Sequence, residues 1–355
     1  MIQILNPSKI NSTDWPWQIP GNVWDEDQKK DWPKISIITP SFNQGQFLEE
    51  TLRSIIFQNY PNLQLIVIDG GSTDESVNII KHYETHIDYW VSEPDLGQTD
   101  AINKGVALAN GDYFYWVNSD DYLEPNALHQ IAQEILSKNA DVLLVKIRAL
   151  FEENGKTSKP YSATICETKE HSLINAQMSN TLFYNLHKAK TLFPLETNLL
   201  YAMDFALYYK FILKYGIDGI KNSEGAVVNN YRFHETSKTN TNLALGKMET
   251  RAMHKYIIDQ LDPPDFFSKY FEKAKYNESL KFDWEIGNID KSIFLGVYAK
   301  NIANFFYEHK LYQLAKVALN YAKKNSQKID YKLWFKLNII SPYLMNKLRL
   351  IKSKI

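Results

Sequence analysis

Cysteine is almost absent: Cys166 stands alone in 355 residues. That rules out a disulfide framework and a thiolate metal site, and it suits a reducing, cytoplasmic setting. Long apolar runs are missing too. No uncharged stretch approaches the ~18–20 residues that span a bilayer, and Met1 to Trp17 lacks the basic and continuous apolar regions of a secretory leader. Nor does one charge dominate. The 40 Lys and Arg face 41 Asp and Glu, for a net charge of −1, so no nucleic-acid partner is expected. Glycine fingerprints for phosphate are lacking as well. Asn43-Gln-Gly45 stands alone after the first strand pattern, and Gly155-Lys156-Thr157 has Leu150 where a P-loop needs its first glycine. A dinucleotide oxidoreductase is therefore the least favoured class, and any phosphate bound here needs a metal rather than a glycine cradle.

What the chain does have is a regular alternation. Hydrophobic residues make up 44% and aromatics 14%, enough for a large α/β domain and an appendage. Strand patterns at Ile35–Thr39, Leu65–Ile68, Tyr89–Val91, Tyr113–Val117 and Val142–Val145 are separated by helical ones. The first helix shows Leu48, Leu52, Ile55 and Ile56 on one face, and Ser72-Thr-Asp-Glu75 has the spacing of a capping box opening the second. Such spacing predicts βαβ units and a mainly parallel sheet flanked by helices. We divide the chain into an extended arm (1–33), a main domain (34–241) and a helical C-terminal region (242–355).

In open α/β sheets, ligands sit beyond the carboxyl ends of the strands. Here those ends carry Thr39-Pro40-Ser41, Asp69, Glu93-Pro-Asp95 and Asn118-Ser119-Asp120-Asp121. A carboxylate-rich crevice suits a hydrated divalent cation and a nucleotide's hydroxyls and imide. Taken alone, Asp120-Asp121 also fits a turn with an Asp cap. Beside Asp69 and Asp95 on the same edge, a hard-oxygen site for Mn2+ or Mg2+ is the better reading, since such ions accept one or two protein carboxylates and complete the shell with phosphate and water. Asp204 opens a helix, which fits an N-cap or an ionised base equally. Arg232 and His234 follow an extended run and point the same way if it is a strand.

In order and spacing, these motifs resemble the family 2 glycosyltransferases of the glycosyltransferase A fold: Ser36-Ile-Ile-Thr-Pro-Ser-Phe-Asn43, Ile66-Val-Ile-Asp-Gly-Gly-Ser-Thr-Asp74, Ser92-Glu-Pro-Asp-Leu-Gly97 with Asp100-Ala-Ile-Asn-Lys-Gly105, and Asn118-Ser-Asp-Asp121. The resemblance spans roughly Lys34 to Thr239. It implies an enzyme of the hexosyltransferase type moving sugar from a nucleotide-diphosphate donor, UDP favoured, to a hydroxyl of a glycan or lipid-linked saccharide, with inversion. By that resemblance Thr39, Pro40, Ser41 and Asp69 would hold the base, Asp100 and Ser119 would face the donor, Asp120 the ribose or metal, and Asp121 the metal. Asp204 would be the base, Arg232 would face the pyrophosphate, His234 would add a metal ligand, and Gln177 would help shape the acceptor site.

The rival readings are a catalytically silent nucleotide-sugar-binding protein, which needs no base at Asp204, and a nucleotidyltransferase, which wants a Gly- and Lys/Arg-rich loop after strand one. Charge is concentrated at the end of the chain: nine Lys/Arg against one acid, Asp330, between Lys323 and Ile355. Leu333, Trp334, Leu337 and Ile340 share a helical face there. This segment either packs as a last helix or rests on an anionic membrane, giving peripheral contact through residues 323–355.

Overall fold

A computed structural model describes residues 4–5, 9, 12–18, 31–175, 181–235, 237–325, 328 and 331–338. Gln177 and the tail beyond Asn338 lie outside the described residues, as does the whole stretch from Ile19 to Lys30. The chain divides into two compact units. The first is Met1–Ile165, Gln177–Phe211 and Tyr215–Gly246, and the second is Cys166–Ala176, Ile212–Lys214 and Lys247–Ile355.

The first unit is built on one sheet. Its strands are β1 (Ile35–Ser41), β2 (Leu63–Asp69), β3 (Tyr89–Ser92), β4 (Tyr113–Trp116), β5 (Tyr122–Leu123), β6 (Val142–Phe151), β7 (Lys156–Thr157), β8 (Leu182–Asn185) and β9 (Ile220–Phe233). The helices of the chain are α1 (Gly45–Ile56), α2 (Ser76–Tyr83), α3 (Gln98–Leu108), α4 (Ala127–Lys138), α5 (Lys169–Asn175), α6 (Leu186–Lys190), α7 (Met203–Tyr215), α8 (Lys238–Asp259), α9 (Phe266–Lys273), α10 (Lys291–Glu308), α11 (Tyr312–Lys324) and α12 (Tyr331–Asn338). The strand order is β3-β2-β1-β4-β8-β6-β9-β5, with β7 beside β6.

The expected parallel sheet is present as β3-β2-β1-β4. Beyond it the sheet is mixed, because β8 runs antiparallel between β4 and β6, and β6 then pairs parallel with β9. Central β1 is buried along its whole length, as a parallel strand covered on both faces must be. Truncating one of its wholly buried isoleucines, such as Ile37, to alanine should cost about 2–5 kcal/mol. Tyr115 stacks on Phe183 at 4.1 Å and Phe114 on Tyr184 at 5.6 Å, so aromatic cross-strand pairs hold β8 in place. Helix α3 lies so close to β1 that a Cβ on Gly105 would collide with the Ile38 side chain.

The predicted capping box is not used. Helix α2 begins at Ser76 with no side-chain cap from Glu75. Instead Asp74 accepts from the backbone N–H of Ser76 (3.0 Å) and of Gly45 (2.8 Å), while Ser72 is drawn into the loop after β2. The N-terminal segment docks on this unit through Trp15 Nε1, which donates to Leu123 O at 2.7 Å, and through Arg53, which donates to Pro16 O and Trp17 O.

The second unit is helical and aromatic. Phe267, Tyr270 and Tyr298 form its centre. His254 is buried there, edge-on to Tyr298 and hydrogen-bonded to Leu173 O at 2.9 Å. Burial pushes its pKa down to about 4, against the upward pull of the Leu173 hydrogen bond. In α12, Leu333 is buried and Lys323 lies over the Trp334 ring. No helix among the described residues is long and apolar enough to cross a membrane.

Candidate active site

The parallel register places Ser41, Asp69 and Ser92 side by side at the carboxyl ends of β1, β2 and β3. Beside them the loop after β4 carries Asn118–Asp121. The structure therefore brings the predicted strand-end residues to one edge, but it gives them different environments.

Asp69 faces inward and is wholly buried. It accepts from Ser72 N (2.8 Å), Gly71 N (3.2 Å), Ser92 Oγ (2.6 Å) and Ser72 Oγ (2.5 Å). A carboxylate has about four acceptor sites, so this one is filled by the loop it pins. The hydroxyls of Thr39 and Ser41 are a contrast: both are buried and neither has a partner. Buried unpaired hydroxyls are costly, and these two are enclosed as Asp69 is. Phe42, next along β1, exposes 58% of its surface. A phenyl ring left open at a strand end offers a face on which a base can stack, and the motifs gave it no role.

Asp120 and Asp121 part company. Asp120 keeps 19% of its side chain open, and its Oδ2 lies 3.0 Å from His234 Nε2. His234 in turn packs on Phe47 at 4.7 Å. Asp121 is only 1% exposed. Its Oδ1 accepts from Arg232 N and its Oδ2 from Asn118 Nδ2, each at 2.9 Å. Burial first, and then the neighbouring Asp120 charge, push its pKa well above the ordinary carboxylate range. Each of its oxygens thus carries one of the protein's own donors, filling two of about four acceptor sites. Ser119 is likewise buried, and its carbonyl accepts from Thr51 Oγ1 at 3.0 Å.

Arg232 is held among protein partners. Its side chain is 5% exposed, with Nη2 2.9 Å from Glu50 Oε2 and Nη1 2.5 Å from Glu152 Oε2. Its Nε donates to Asp120 O at 2.8 Å, and the guanidinium lies over Phe47 and Tyr122. Three of its five N–H groups are thus committed to the protein's own acceptors, one of them the Asp120 carbonyl. Glu50 and Glu152 had no signal in sequence, since they stand 182 and 80 residues from Arg232.

Asp100 is in the first turn of α3, where it accepts from Leu96 N and pairs with Lys104 at 3.5 Å. The N-cap Gly97 offers no side chain, so the start of α3 stays open. Gln98, its first residue, donates to Asn118 Oδ1 (2.8 Å) and accepts from Lys238 Nζ (3.1 Å). Lys238 also reaches Leu200 O at 3.4 Å. These contacts tie the loop before α7, and so Asp204 in its first turn, to the Asn118 loop.

Asp120 and His234 fit a divalent cation of the Mn2+ or Mg2+ kind: two adjacent ligands, one of them carboxylate, with the remaining positions left to phosphate and water. Among the described residues no group of three or more His, Cys, Asp or Glu could hold a metal by itself, so the substrate would have to supply part of the shell.

A profile described as Glycosyl transferase family 2 matches residues 36–214, half of the chain. The chain belongs to glycosyl transferase family 2. It is therefore a glycosyltransferase, and its sheet with flanking helices is the glycosyltransferase A arrangement expected from the motifs. Among curated relatives it is 28% identical to an uncharacterized glycosyltransferase of Rickettsia typhi over 61% of this chain and 69% of that one. It is 29% identical to the poly(ribitol-phosphate) beta-N-acetylglucosaminyltransferase TarS of Staphylococcus aureus strain Mu50 over 42% of this chain and 26% of that one. The crystal structure of S. aureus TarS 1–349 in complex with UDP-GlcNAc superposes with a TM-score of 0.55 at 20% identity, covering 82% of this chain and 89% of that one. At that identity the likeness speaks for the fold.

Proposed function

We propose that this family 2 enzyme transfers a sugar from a nucleoside diphosphate donor, UDP favoured, to a hydroxyl of a glycan or lipid-linked saccharide, with a divalent cation and with inversion. The Asp120–His234 pair at the strand-end crevice carries the reading. A half-open carboxylate against an imidazole suits a cation that a donor's phosphates complete. The open Phe42 ring at the end of β1 suits a nucleoside. TarS, with UDP-GlcNAc in one crystal structure and UDP in another, supports the choice of base.

When bound, Mn2+ or Mg2+ neutralises the charge that develops on the departing diphosphate. The protein's share is position and proton transfer. Asp204 takes the proton of the acceptor hydroxyl as that oxygen bonds to the anomeric carbon. The bond from that carbon to the β-phosphate oxygen breaks, and the nucleoside diphosphate leaves on the opposite face. The start of α3 keeps Asp204's approach aligned through Gln98 and Lys238, while Arg232 and Asp121 stiffen the loop that presents Asp120. Action at a cytoplasmic membrane face, through the basic tail, belongs to the same proposal.

The test is a panel of nucleotide sugars assayed for diphosphate release with Mn2+ or Mg2+. Release from one UDP-sugar, abolished by chelation, is expected. No release and no binding of any donor would overturn the reading.

A further inference from the structure

Position 70 stands next to the pinned Asp69 and carries no side chain. A Cβ built on Gly70 would lie 2.8 Å from Asp95 Oδ2 and 3.1 Å from its Oδ1. The room that a residue at 70 would fill is therefore held by the Asp95 carboxylate. Asp95 reaches it from the loop after β3, and that carboxylate is fixed at one end: Oδ1 accepts from Gly97 N at 2.8 Å. The residue is half-buried. Asp69 cannot serve the same crevice, being wholly enclosed and fully bonded by Ser72, Gly71 and Ser92. In register with Asp69 stands Ser41, the last residue of β1, and the residue after it, Phe42, exposes 58% of its surface. An acceptor at Asp95 and an exposed ring at Phe42 thus stand at the ends of neighbouring strands.

Resting on the donor reading above, we propose that Asp95, and not Asp69, is the carboxylate that reads the donor's base, and that Gly70 is small so that it can. Uracil presents an N3–H donor, which a carboxylate accepts. Cytosine presents a bare lone pair at the same ring position, which a carboxylate repels. Asp95 is on this account the residue that sets the preference for uracil over cytosine. A hydrogen bond to a charged acceptor is worth about ten- to a hundredfold in affinity, and discrimination of that order follows.

The experiment measures binding of UDP and CDP, each with Mn2+, to the full chain by titration calorimetry in the wild type, Asp95→Asn and Gly70→Ala. In Asp95→Asn the Gly97 N–H keeps the amide oxygen, so the amide nitrogen takes the place of Oδ2 and donates where the carboxylate accepted. UDP affinity should fall by about tenfold or more, CDP affinity should rise, and the UDP-to-CDP preference should collapse. Gly70→Ala should reduce the preference in the same direction while keeping the carboxylate, because its Cβ displaces Asp95. The ratio is insensitive to partial misfolding, which lowers both affinities together. An unchanged ratio in Asp95→Asn, with UDP still bound, overturns the assignment but leaves the donor reading standing. A wild type that binds neither nucleotide overturns both.

Discussion

Arg232 allows a sharp test, because its sequence context points to the donor phosphates while its surroundings point to the Asp120 loop. Replacing it with alanine removes three donated hydrogen bonds, to Asp120 O, Glu50 and Glu152. The Glu152 pair counts for little, since that carboxylate is 46% exposed and such pairs are worth about 0–1 kcal/mol. Glu50 is 16% exposed, and losing a charged partner there should cost about 1.5–3 kcal/mol. The bond to the Asp120 carbonyl and the lost packing on Phe47 and Tyr122 add about 1–2 kcal/mol. A total near 3–5 kcal/mol corresponds to a melting temperature lower by about 8–15 °C for a unit of this size. The assay is thermal unfolding by circular dichroism, run with and without UDP and Mn2+. A fall below ~2 °C, together with loss of nucleotide binding, would refute the bracing role and return Arg232 to the phosphates.

Three further outcomes are expected. Asp120→Ala or His234→Ala should abolish Mn2+-dependent nucleotide binding in calorimetry while melting within ~3 °C of wild type; retained metal dependence in both would remove the pair from the cation. Asp204→Asn should leave UDP-sugar binding nearly unchanged and lower turnover by at least ~10²-fold, so near-normal turnover would dismiss it as the base. For His254 the folded pKa of about 4 lies below the unfolded value, so its contribution is complete above about pH 6.5 and is lost as pH falls toward 4. At pH 5 the loss should be about 2 kcal/mol, visible in urea unfolding. His254→Gln, which can still donate to Leu173 O, should flatten that dependence; an identical pH profile in the variant would contradict the argument.

Much of this was legible in advance, and the rest was hidden for identifiable reasons. β1, β2 and β4 announce themselves as apolar runs flanked by helical periodicity. β8 does not, because four residues of Leu182–Asn185 carry no period, and only their aromatic partners on β4 define them as a strand. The convergence of Thr39, Asp69, Asp95 and Asp120 follows from parallel topology alone. Which acid turns inward does not. Asp69 is captured by N–H groups of the turn that it enters and Asp121 by the backbone N–H of Arg232, 111 residues away, and neither contact exists before the chain folds. The direction of Arg232 was equally unreadable, since it depends on glutamates on distant elements. Gly70 was visible as a letter, but its use as vacant space beside Asp95 needed coordinates.

The Asp120–His234 contact joins positions 114 residues apart. Between them the chain must thread β6, insert β8 antiparallel, and bring β9 back alongside β6. Closing so long a loop is slow and entropically late. A nascent or truncated chain ending before β9 should therefore lack the Asp120–His234 pair. The pair is in this sense a report on completed folding: Asp120 meets its imidazole only when the last strand has arrived.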